Sequence, residues 1–338
     1  MNTKHISNSK NPIAKPHKNP IENNKISKKP HNLSTVADLL QWATDNNRAV
    51  CAFNVNNMEL IQAVTDSAAS LNVPIILQVS KGARNYAGMT YITKLVEAAL
   101  LTHPNLRVAL HLDHGDSFEL CKECLDNGFT SVMIDGSHLP FEENIALTKR
   151  VVDYAKKFGA CVEGELGLIS GIEEEKNPPF NFYTDPKVCR EYVERTGVTS
   201  LAISIGTAHG AHKYKPGSTP ELRLDILAEI QRAIPNTPLV LHGASSIPQN
   251  LVTQINQHGG DIKNALGVSE EYLSKTIPLG VRKINIDSDL RLAFTAALRK
   301  HMTSHPCHFD PRQYLTESRK QVQQVVLAKL QAFSLEQK

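Results

Sequence analysis

The sequence lacks the features that mark membrane, secreted and disulfide-stabilised proteins. No apolar run in its 338 residues approaches the length of about eighteen that a bilayer span requires. No apolar segment follows the amino terminus, so we expect no secretory signal. Six cysteines are too few for a disulfide scaffold in a chain of this length. We therefore expect a cytoplasmic protein without a membrane span.

A basic surface is also missing from most of the chain. Residues 1–32 hold seven lysines and one acid, Glu22, so this segment carries +6 within a total charge of +3. The rest of the chain is slightly acidic, which argues against nucleic acid as a partner. Four prolines and seven asparagines without apolar periodicity predict a disordered, lysine-rich tail over 1–32 and one domain over 33–338. A non-enzymatic binding role through this tail is an alternative of a different class.

From residue 33 onward, short apolar runs alternate with segments of helical periodicity. Ser34 and Thr35 precede apolar residues at helical spacing, which predicts a capped first helix. The predicted strands are Ala49–Asn54, Pro74–Val79, Arg107–Leu112, Ser131–Asp135, Cys161–Glu165, Ser200–Ile205, Pro238–Leu241 and Val281–Ile286. The intervals between them are long enough for one crossover helix each. The pattern predicts an α/β fold, a (β/α)₈ TIM barrel, with an open doubly wound sheet as the alternative.

Polar side chains stand at or just beyond the ends of nearly all the predicted strands. They are Asn54, Ser80, Asp113, His114, Asp135, Glu165, His209, His242, Asn285 and Asp287. Because the carboxyl ends of barrel strands share one rim, we expect these side chains to converge there. His114, His209 and His242 each precede a glycine, and three imidazoles from different strands would form a Zn²⁺ site with an open coordination position. A lone histidine is more often a hydrogen-bonded core residue, so the metal interpretation depends on all three.

Other candidate groups have simpler interpretations. Cys121 and Cys124 have the spacing of a redox or zinc pair, but they lie in a predicted helix without a second pair. The histidines His301, His305 and His308 lie near an element end and are interpreted as surface residues. Taken by itself, the run of three glutamates at 173–175 is typical of a solvated loop.

Several longer segments carry recognisable motifs. They are His111–Asp116, Gly128–Ser137, Pro140–Asn144, Val162–Gly167, Tyr183–Pro186, Ile205–Gly210, Leu241–Ser245, Lys283–Asp289 and Phe309–Arg312. In content and order they resemble the class II, metal-dependent fructose-1,6-bisphosphate aldolases, from about residue 34 to residue 333. The resemblance implies a (β/α)₈ barrel and a lyase of glycolysis and gluconeogenesis. Its reaction would be the reversible cleavage of fructose 1,6-bisphosphate to dihydroxyacetone phosphate and glyceraldehyde 3-phosphate.

The resemblance also implies roles for individual residues. His114, His209 and His242 match zinc ligands, and Zn²⁺ would stabilise the enediolate left when the C3–C4 bond breaks. Asp113 matches the residue that exchanges a proton with the C4 hydroxyl. Glu173 matches a mobile-loop glutamate that handles the proton on the dihydroxyacetone phosphate carbon. This role replaces the interpretation of Glu173 as a residue of a solvated loop.

Further residues match cation and substrate contacts. Asp135 and Glu165 match acids that hold a second divalent cation in some members, and a monovalent cation is a further cofactor left open. The residues that match substrate contacts are Asn54, Ser80, Gly210, Lys213, Lys215, Gly243, Ala244, Ser245, Asn285, Ile286, Asp287, Ser288 and Arg291. Most belong to the cradle of the first phosphate, whereas Arg291 matches a residue that reaches the far phosphate. The family resemblance also implies a homodimer or homotetramer.

Two other enzyme classes are alternatives to this interpretation. Tagatose-1,6-bisphosphate aldolases share the zinc chemistry, but they tend to lack the acid found here at Asp287 and the inserted segment near residues 260–280. A metal-dependent barrel hydrolase would need a water-activating base and a carboxylate or lysine bridge between metals, and the ordered histidine motifs argue against it. The sequence therefore favours the fructose bisphosphate aldolase.

Overall fold

The computed structural model describes residues 33–167, 183–208 and 221–336. It contains the strands β1 Val50–Asn54, β2 Ile75–Ser80, β3 Val108–Gly115, β4 Ser131–Ile134, β5 Cys161–Leu166, β6 Ser200–Ile203, β7 Leu239–Leu241 and β8 Val281–Ile286. Each strand pairs in parallel with the next, and β1 pairs with β8 to close the barrel. The predicted TIM barrel is thus confirmed, and the open doubly wound sheet is wrong.

Helices alternate with the strands around the barrel. They are α1 Val36–Asp45, α2 Met58–Leu71, α3 Lys81–Ala87, α4 Met89–Thr102, α5 Phe118–Asp126, α6 Phe141–Ala155, α7 Pro186–Thr196, α8 Leu224–Ala233, α9 Gln249–Gln257, α10 Glu270–Ser274, α11 Ser288–Ser304 and α12 Pro311–Phe333, with 3₁₀ turns at Lys156–Phe158 and Ile277–Leu279. None of these helices is both long and apolar enough to cross a membrane. The predicted tail, residues 1–32, lies outside the described residues.

Helix α1 covers the amino-terminal end of the barrel. The hydroxyl of Thr35 accepts a hydrogen bond from the Asp38 amide at 3.1 Å, as expected for the predicted cap. The apolar face of α1 is buried, and its residues Leu39 and Leu40 pack in one cluster with Val50 and other residues near the strand starts. These contacts cover the starts of β1, β2, β3 and β5 at this end of the barrel.

Helix α12 packs along the outside of the barrel against α2 and α11. Its side chains Val322, Val326, Leu330 and Phe333 are fully buried, at the spacing of one helix face. The backbone carbonyl of Phe333 accepts a hydrogen bond from the Ala49 amide, just before β1. The carboxyl-terminal helix therefore belongs to the barrel and is not an appendage.

Candidate active site

Strand β3 bends where it delivers its polar side chains. It was predicted to end at Leu112, but it continues to Gly115, and its pairing with β4 shifts register between Leu112 and Gly115. His114 has φ +48°, in the left-handed region. Such a bulge re-aims side chains that would otherwise alternate between faces, so Asp113 and His114 both reach the same group of polar residues.

A glycine is required at the end of this bulge. A Cβ atom at Gly115 would lie 2.4 Å from the Met133 carbonyl oxygen and 2.8 Å from the Cys121 sulfur. The thiols of Cys121 and Cys124 are buried in α5, where burial raises the pKa of Cys124 to about 12. This fits their interpretation as helix core residues and not as a redox pair.

Two imidazoles from different strands face each other at the rim. Nε2 of His114 lies 2.9 Å from Nδ1 of His242, and the rings are nearly perpendicular, with centroids 4.6 Å apart. Together with Asp113 they offer three ligand atoms that all lie within 4.8 Å of one another. Two nitrogens on one tetrahedral zinc ion are separated by about 3.3 Å, given bonds of about 2.0–2.1 Å. The donor set and its spacing therefore fit a shared divalent metal ion.

The orientation of His242 is fixed from inside the barrel. Its Nε2 lies 2.7 Å from Oε1 of Glu163, and Oε2 of Glu163 accepts a bond of 2.8 Å from the Lys283 ammonium. All three side chains are buried. Because Nε2 donates to Glu163, Nδ1 is left as the nitrogen that faces His114, so the buried acid fixes the orientation of this imidazole.

Neither Glu163 nor Lys283 was predicted from the sequence to have a role in the site. One signal was present, since Glu163 stands two residues before Glu165 and Lys283 two residues before Asn285. Residues two apart in a strand point to the same face, so both pairs point into the barrel. What the pattern could not give was their pairing with each other, because β5 and β8 are not neighbours in the barrel.

Asp113 is held by two amides at the mouth of the barrel. Asn54 donates to one carboxylate oxygen at 2.7 Å and Asn285 donates to the other at 3.3 Å. Burial raises the pKa of Asp113, but the positive charges of His114 and Lys283 and the hydrogen bond from Asn54 outweigh that effect and lower it below the ordinary value. Asp113 is therefore an ionised, oriented carboxylate that can accept a proton.

A second group of acidic side chains surrounds the other side of His114. Asp135 Oδ2 lies 3.1 Å from His114 Nδ1, and Glu165 contributes a ligand atom to the same compact group. Burial and the neighbouring Asp135 raise the pKa of Glu165 well above its usual range. Among the described residues, the buried Oε2 of Glu165 has no hydrogen-bond partner. An orphaned acid beside a second carboxylate fits a bound cation.

His114 lies between these two acidic groups. Burial alone would lower its pKa, but the charge of Asp113 and the hydrogen bond to Asp135 raise it to about 10. The three carboxylates of Asp113, Asp135 and Glu165 exceed the number of imidazoles that they contact. A cation beside Asp135 and Glu165 would stabilise their ionised forms, so this acidic group favours cation binding at the rim.

The backbone segments that follow β7 and β8 lie next to each other, beside the imidazoles. Gly243 has φ +61°, and a Cβ there would lie 2.5 Å from the Ala208 carbonyl oxygen. The amide of Asp287 approaches Ser245 Oγ at 3.4 Å, immediately before α11 begins at Ser288. A glycine that lets the backbone come close to a ligand and the amino terminus of a helix are both features of phosphate-binding sites. The structure thus places Gly243, Ala244, Ser245 and 285–288 side by side.

Other residues predicted to contact substrate have structural partners in the described chain. Ser80 Oγ accepts from the Ala83 amide and caps α3. The exposed guanidinium of Arg291 lies 2.7 Å from Asp287. The predicted residues Glu173, His209, Gly210, Lys213 and Lys215 lie outside the described residues.

Comparisons with known proteins agree with this geometry. Residues 34–338 match the family model "Fructose-bisphosphate aldolase class-II". The chain is 45% identical over 301 residues to the fructose-bisphosphate aldolase of Giardia intestinalis, covering 89% of this chain and 93% of that one. It is 43% identical over 313 residues to the corresponding enzyme of Treponema pallidum, covering 88% and 94%.

A solved structure with the same fold supports the comparison. The crystal structure of the YdjI aldolase from Escherichia coli K12 has a TM-score of 0.72 and 29% sequence identity. The match covers 89% of this chain and 97% of that chain. The similarity therefore extends over nearly the whole of both barrels.

Proposed function

This chain belongs to the class II fructose-bisphosphate aldolase family, and from that premise we propose that it cleaves fructose 1,6-bisphosphate reversibly to dihydroxyacetone phosphate and glyceraldehyde 3-phosphate. The observation that carries the proposal is the compact group of Asp113, His114 and His242 at one rim of the barrel. It combines a carboxylate that can accept a proton with two imidazoles at the spacing of metal ligands.

We further propose His114, His242 and His209 as the ligands of a Zn²⁺ ion. When bound, zinc would supply Lewis-acid stabilisation for the negative charge that develops on the ketose oxygens as the C3–C4 bond breaks. Glu163 holds His242 so that Nδ1 faces this position, and Asp135 does the same for Nε2 of His114. Asp135 and Glu165 are the proposed site of a second divalent cation, and a monovalent cation is a further candidate cofactor.

Asp113 is the proposed general base of cleavage. It removes the proton from the C4 hydroxyl while the C3–C4 bond breaks, and it returns that proton in synthesis. Its ionised state and its two amide hydrogen bonds suit both directions. Glu173 is the proposed donor of a proton to C3 in cleavage, a role that rests on the family resemblance.

Substrate phosphate is proposed to bind the backbone at Gly243, Ala244, Ser245 and 285–288. Gly210, Lys213 and Lys215 would complete that cradle, with Arg291 near the far phosphate. Asn54 and Ser80 are proposed contacts to the sugar, and Asn54 also orients Asp113. A homodimer or homotetramer in the cytoplasm, acting in glycolysis and gluconeogenesis, remains part of the proposal.

The proposal is tested most narrowly at Asp113. We expect Asp113→Ala to lower kcat by about 10²–10⁴-fold, because the proton acceptor is lost, while the protein still binds zinc. Steady-state cleavage rates and metal content of the same preparation check both halves of this expectation. Asp116→Ala is the matched control. Asp116 lies three residues after Asp113 in the chain, but its carboxylate is exposed and pairs with Lys81. Near-normal turnover in zinc-loaded Asp113→Ala protein would remove the proposed role.

A further inference from the structure

Three histidines meet at the junction of α11 and α12, away from the candidate active site. His301 lies in the last turn of α11, His305 caps that helix, and His308 follows in the turn before α12. His301 is separated from Ser288, at the active-site end of α11, by about 20 Å of helix at about 1.5 Å per residue. The cluster therefore lies near the opposite end of the barrel and shares no residue with the site described above.

The three rings are packed against one another. Nε2 of His301 lies 3.0 Å from Nδ1 of His308, and the three ring centroids are separated by 4.7, 4.8 and 5.1 Å. One ligand nitrogen from each ring lies within 4.8 Å of the other two. These histidines were interpreted from the sequence as surface residues, and the chain turn after α11 brings their rings together.

The backbone holds the turn in place. The amide of His305 donates to the His301 carbonyl oxygen at 2.8 Å, and the amide of His308 donates to the His305 carbonyl oxygen at 3.0 Å. His301 is half-buried and has its ring centroid 6.4 Å from that of Tyr314 in α12, whereas His305 is exposed and can rotate. The exposed ring of His305 can therefore turn toward a ligand shared with His301 and His308.

The local electrostatics favour a cation at this position. The carboxyl end of an α-helix carries partial negative charge, and His301 lies in the last turn of α11. Glu317 of α12 is close enough to His301 and His305 for its charge to interact with both. Neutral imidazoles bind metal ions through their ring nitrogens.

We propose that His301, His305 and His308 form a second metal site, specific for a divalent late transition-metal ion such as Zn²⁺. The 3.0 Å spacing of the first and third nitrogens is close to the separation of about 3.3 Å for two ligands on tetrahedral zinc. Imidazole is a preferred ligand of zinc, nickel and copper, and water completes the coordination. A bound ion would connect the end of α11 to the turn before α12.

The test measures zinc binding by the full chain without reference to catalysis. Equilibrium dialysis against buffered free Zn²⁺, followed by metal analysis, gives the number of ions per chain. We expect wild-type protein to hold one more ion than His305→Ala or His308→Gln, or to bind that ion at least about tenfold more tightly. Loss of a residue that only supports a metal ligand weakens metal binding by about that factor, and loss of the ligand itself should weaken it at least as much. The histidines at 5, 17 and 31 are present in every protein and cancel in the comparison.

Cys307→Ser is the matched control, because it changes the exposed thiol in the same turn and keeps all three imidazoles. It should bind zinc like wild-type protein. Zinc should also raise the Tm of wild-type and Cys307→Ser protein more than the Tm of His305→Ala, since ligand binding to the folded state stabilises it. Identical zinc-binding curves for wild-type protein and both histidine variants would overturn the proposal. Loss of the additional ion in Cys307→Ser would overturn the assignment to three imidazoles.

The result does not depend on the proposed aldol reaction. The additional ion is defined by the difference between wild-type protein and variants that leave the rim of the barrel unchanged. A failed cleavage assay would therefore leave this inference standing, and absence of the additional ion would leave the proposed reaction standing.

Discussion

At the scale of single residues, the buried ion pair between Glu163 and Lys283 is the least expected feature. Both side chains are at most 1% exposed, and placing two charges inside the barrel costs free energy that their attraction only partly returns. The pair also provides the hydrogen bond that orients His242. We infer that these charges position a metal-binding imidazole in addition to filling the barrel.

This inference predicts different effects on stability and on metal binding. Glu163→Gln should lower the free energy of unfolding of the metal-free protein by about 3–5 kcal/mol, because it leaves Lys283 buried without a counter-charge. It should also weaken zinc binding at the rim by about 10–100-fold, because the carboxylate that orients His242 is lost. Denaturant unfolding and zinc competition with a chromogenic chelator measure the two quantities.

A double variant separates the two effects. Glu163→Gln with Lys283→Met removes both charges, so it should recover much of the stability while zinc binding stays weak. Zinc affinity that is restored together with stability would show that Glu163 acts through folding alone.

The sequence predicted individual site residues where chemistry and strand position coincided. Asp113, His114 and His242 were expected at the rim, and the structure brings these three together. Their partners Glu163 and Lys283 could not be predicted, because a contact across the barrel depends on how distant strands stagger. Likewise, the left-handed conformation of His114 depends on the register of β3 against β4.

At the scale of elements, one buried lysine of α12 contacts the segment that follows the proposed phosphate-binding residues Gly243, Ala244 and Ser245. The Lys329 ammonium lies 2.6 Å from Asp289 of α11, 2.8 Å from Glu270 of α10 and 2.7 Å from the Ser246 hydroxyl. Asp289 in turn accepts hydrogen bonds from the amides of Ser246 and Ile247. Burial lowers the pKa of Lys329, but the two carboxylates outweigh it and raise that pKa, so the lysine is charged.

We expect Lys329→Met to lower the free energy of unfolding by about 3–5 kcal/mol, because two carboxylates lose their buried counter-charge. The loop that follows Ser245 should also lose its support, so KM for fructose 1,6-bisphosphate should rise more than kcat falls. Denaturant unfolding and steady-state kinetics test these expectations. Lys94→Met is the control, because Lys94 pairs with Glu97 on the surface and should leave both quantities nearly unchanged. A wild-type KM in folded Lys329→Met protein would contradict the proposed support.

Element positions were predicted well because their signals are local. All eight predicted strands are present, and the helix from Thr35 begins with its expected cap. The clustering of His301, His305 and His308 escaped prediction, because the turn between α11 and α12 brings the three together beyond the helix end. Helical periodicity predicts which side chains are neighbours within a helix, but it does not apply to His305 and His308, which follow the last residue of α11.

At the scale of the whole molecule, the two ends of the barrel carry different side chains. Apolar packing of α1 covers the strand starts, and the carboxylates and imidazoles gather at the opposite strand ends. The family match begins at residue 34, so the lysine-rich segment over 1–32 lies outside it. Removing residues 1–32 should leave kcat and KM for fructose 1,6-bisphosphate unchanged, and a loss of cleavage on removal would assign the segment to the enzyme.

The most direct test of the central claim is a coupled cleavage assay of the zinc-loaded full chain. Fructose 1,6-bisphosphate and tagatose 1,6-bisphosphate are supplied separately, each with and without a metal chelator. We predict cleavage that the chelator abolishes, with a higher kcat/KM for the fructose sugar. No cleavage of either sugar, or cleavage that a chelator leaves intact, would contradict the account, and a preference for tagatose would keep the metal mechanism but reject the substrate inferred from Asp287.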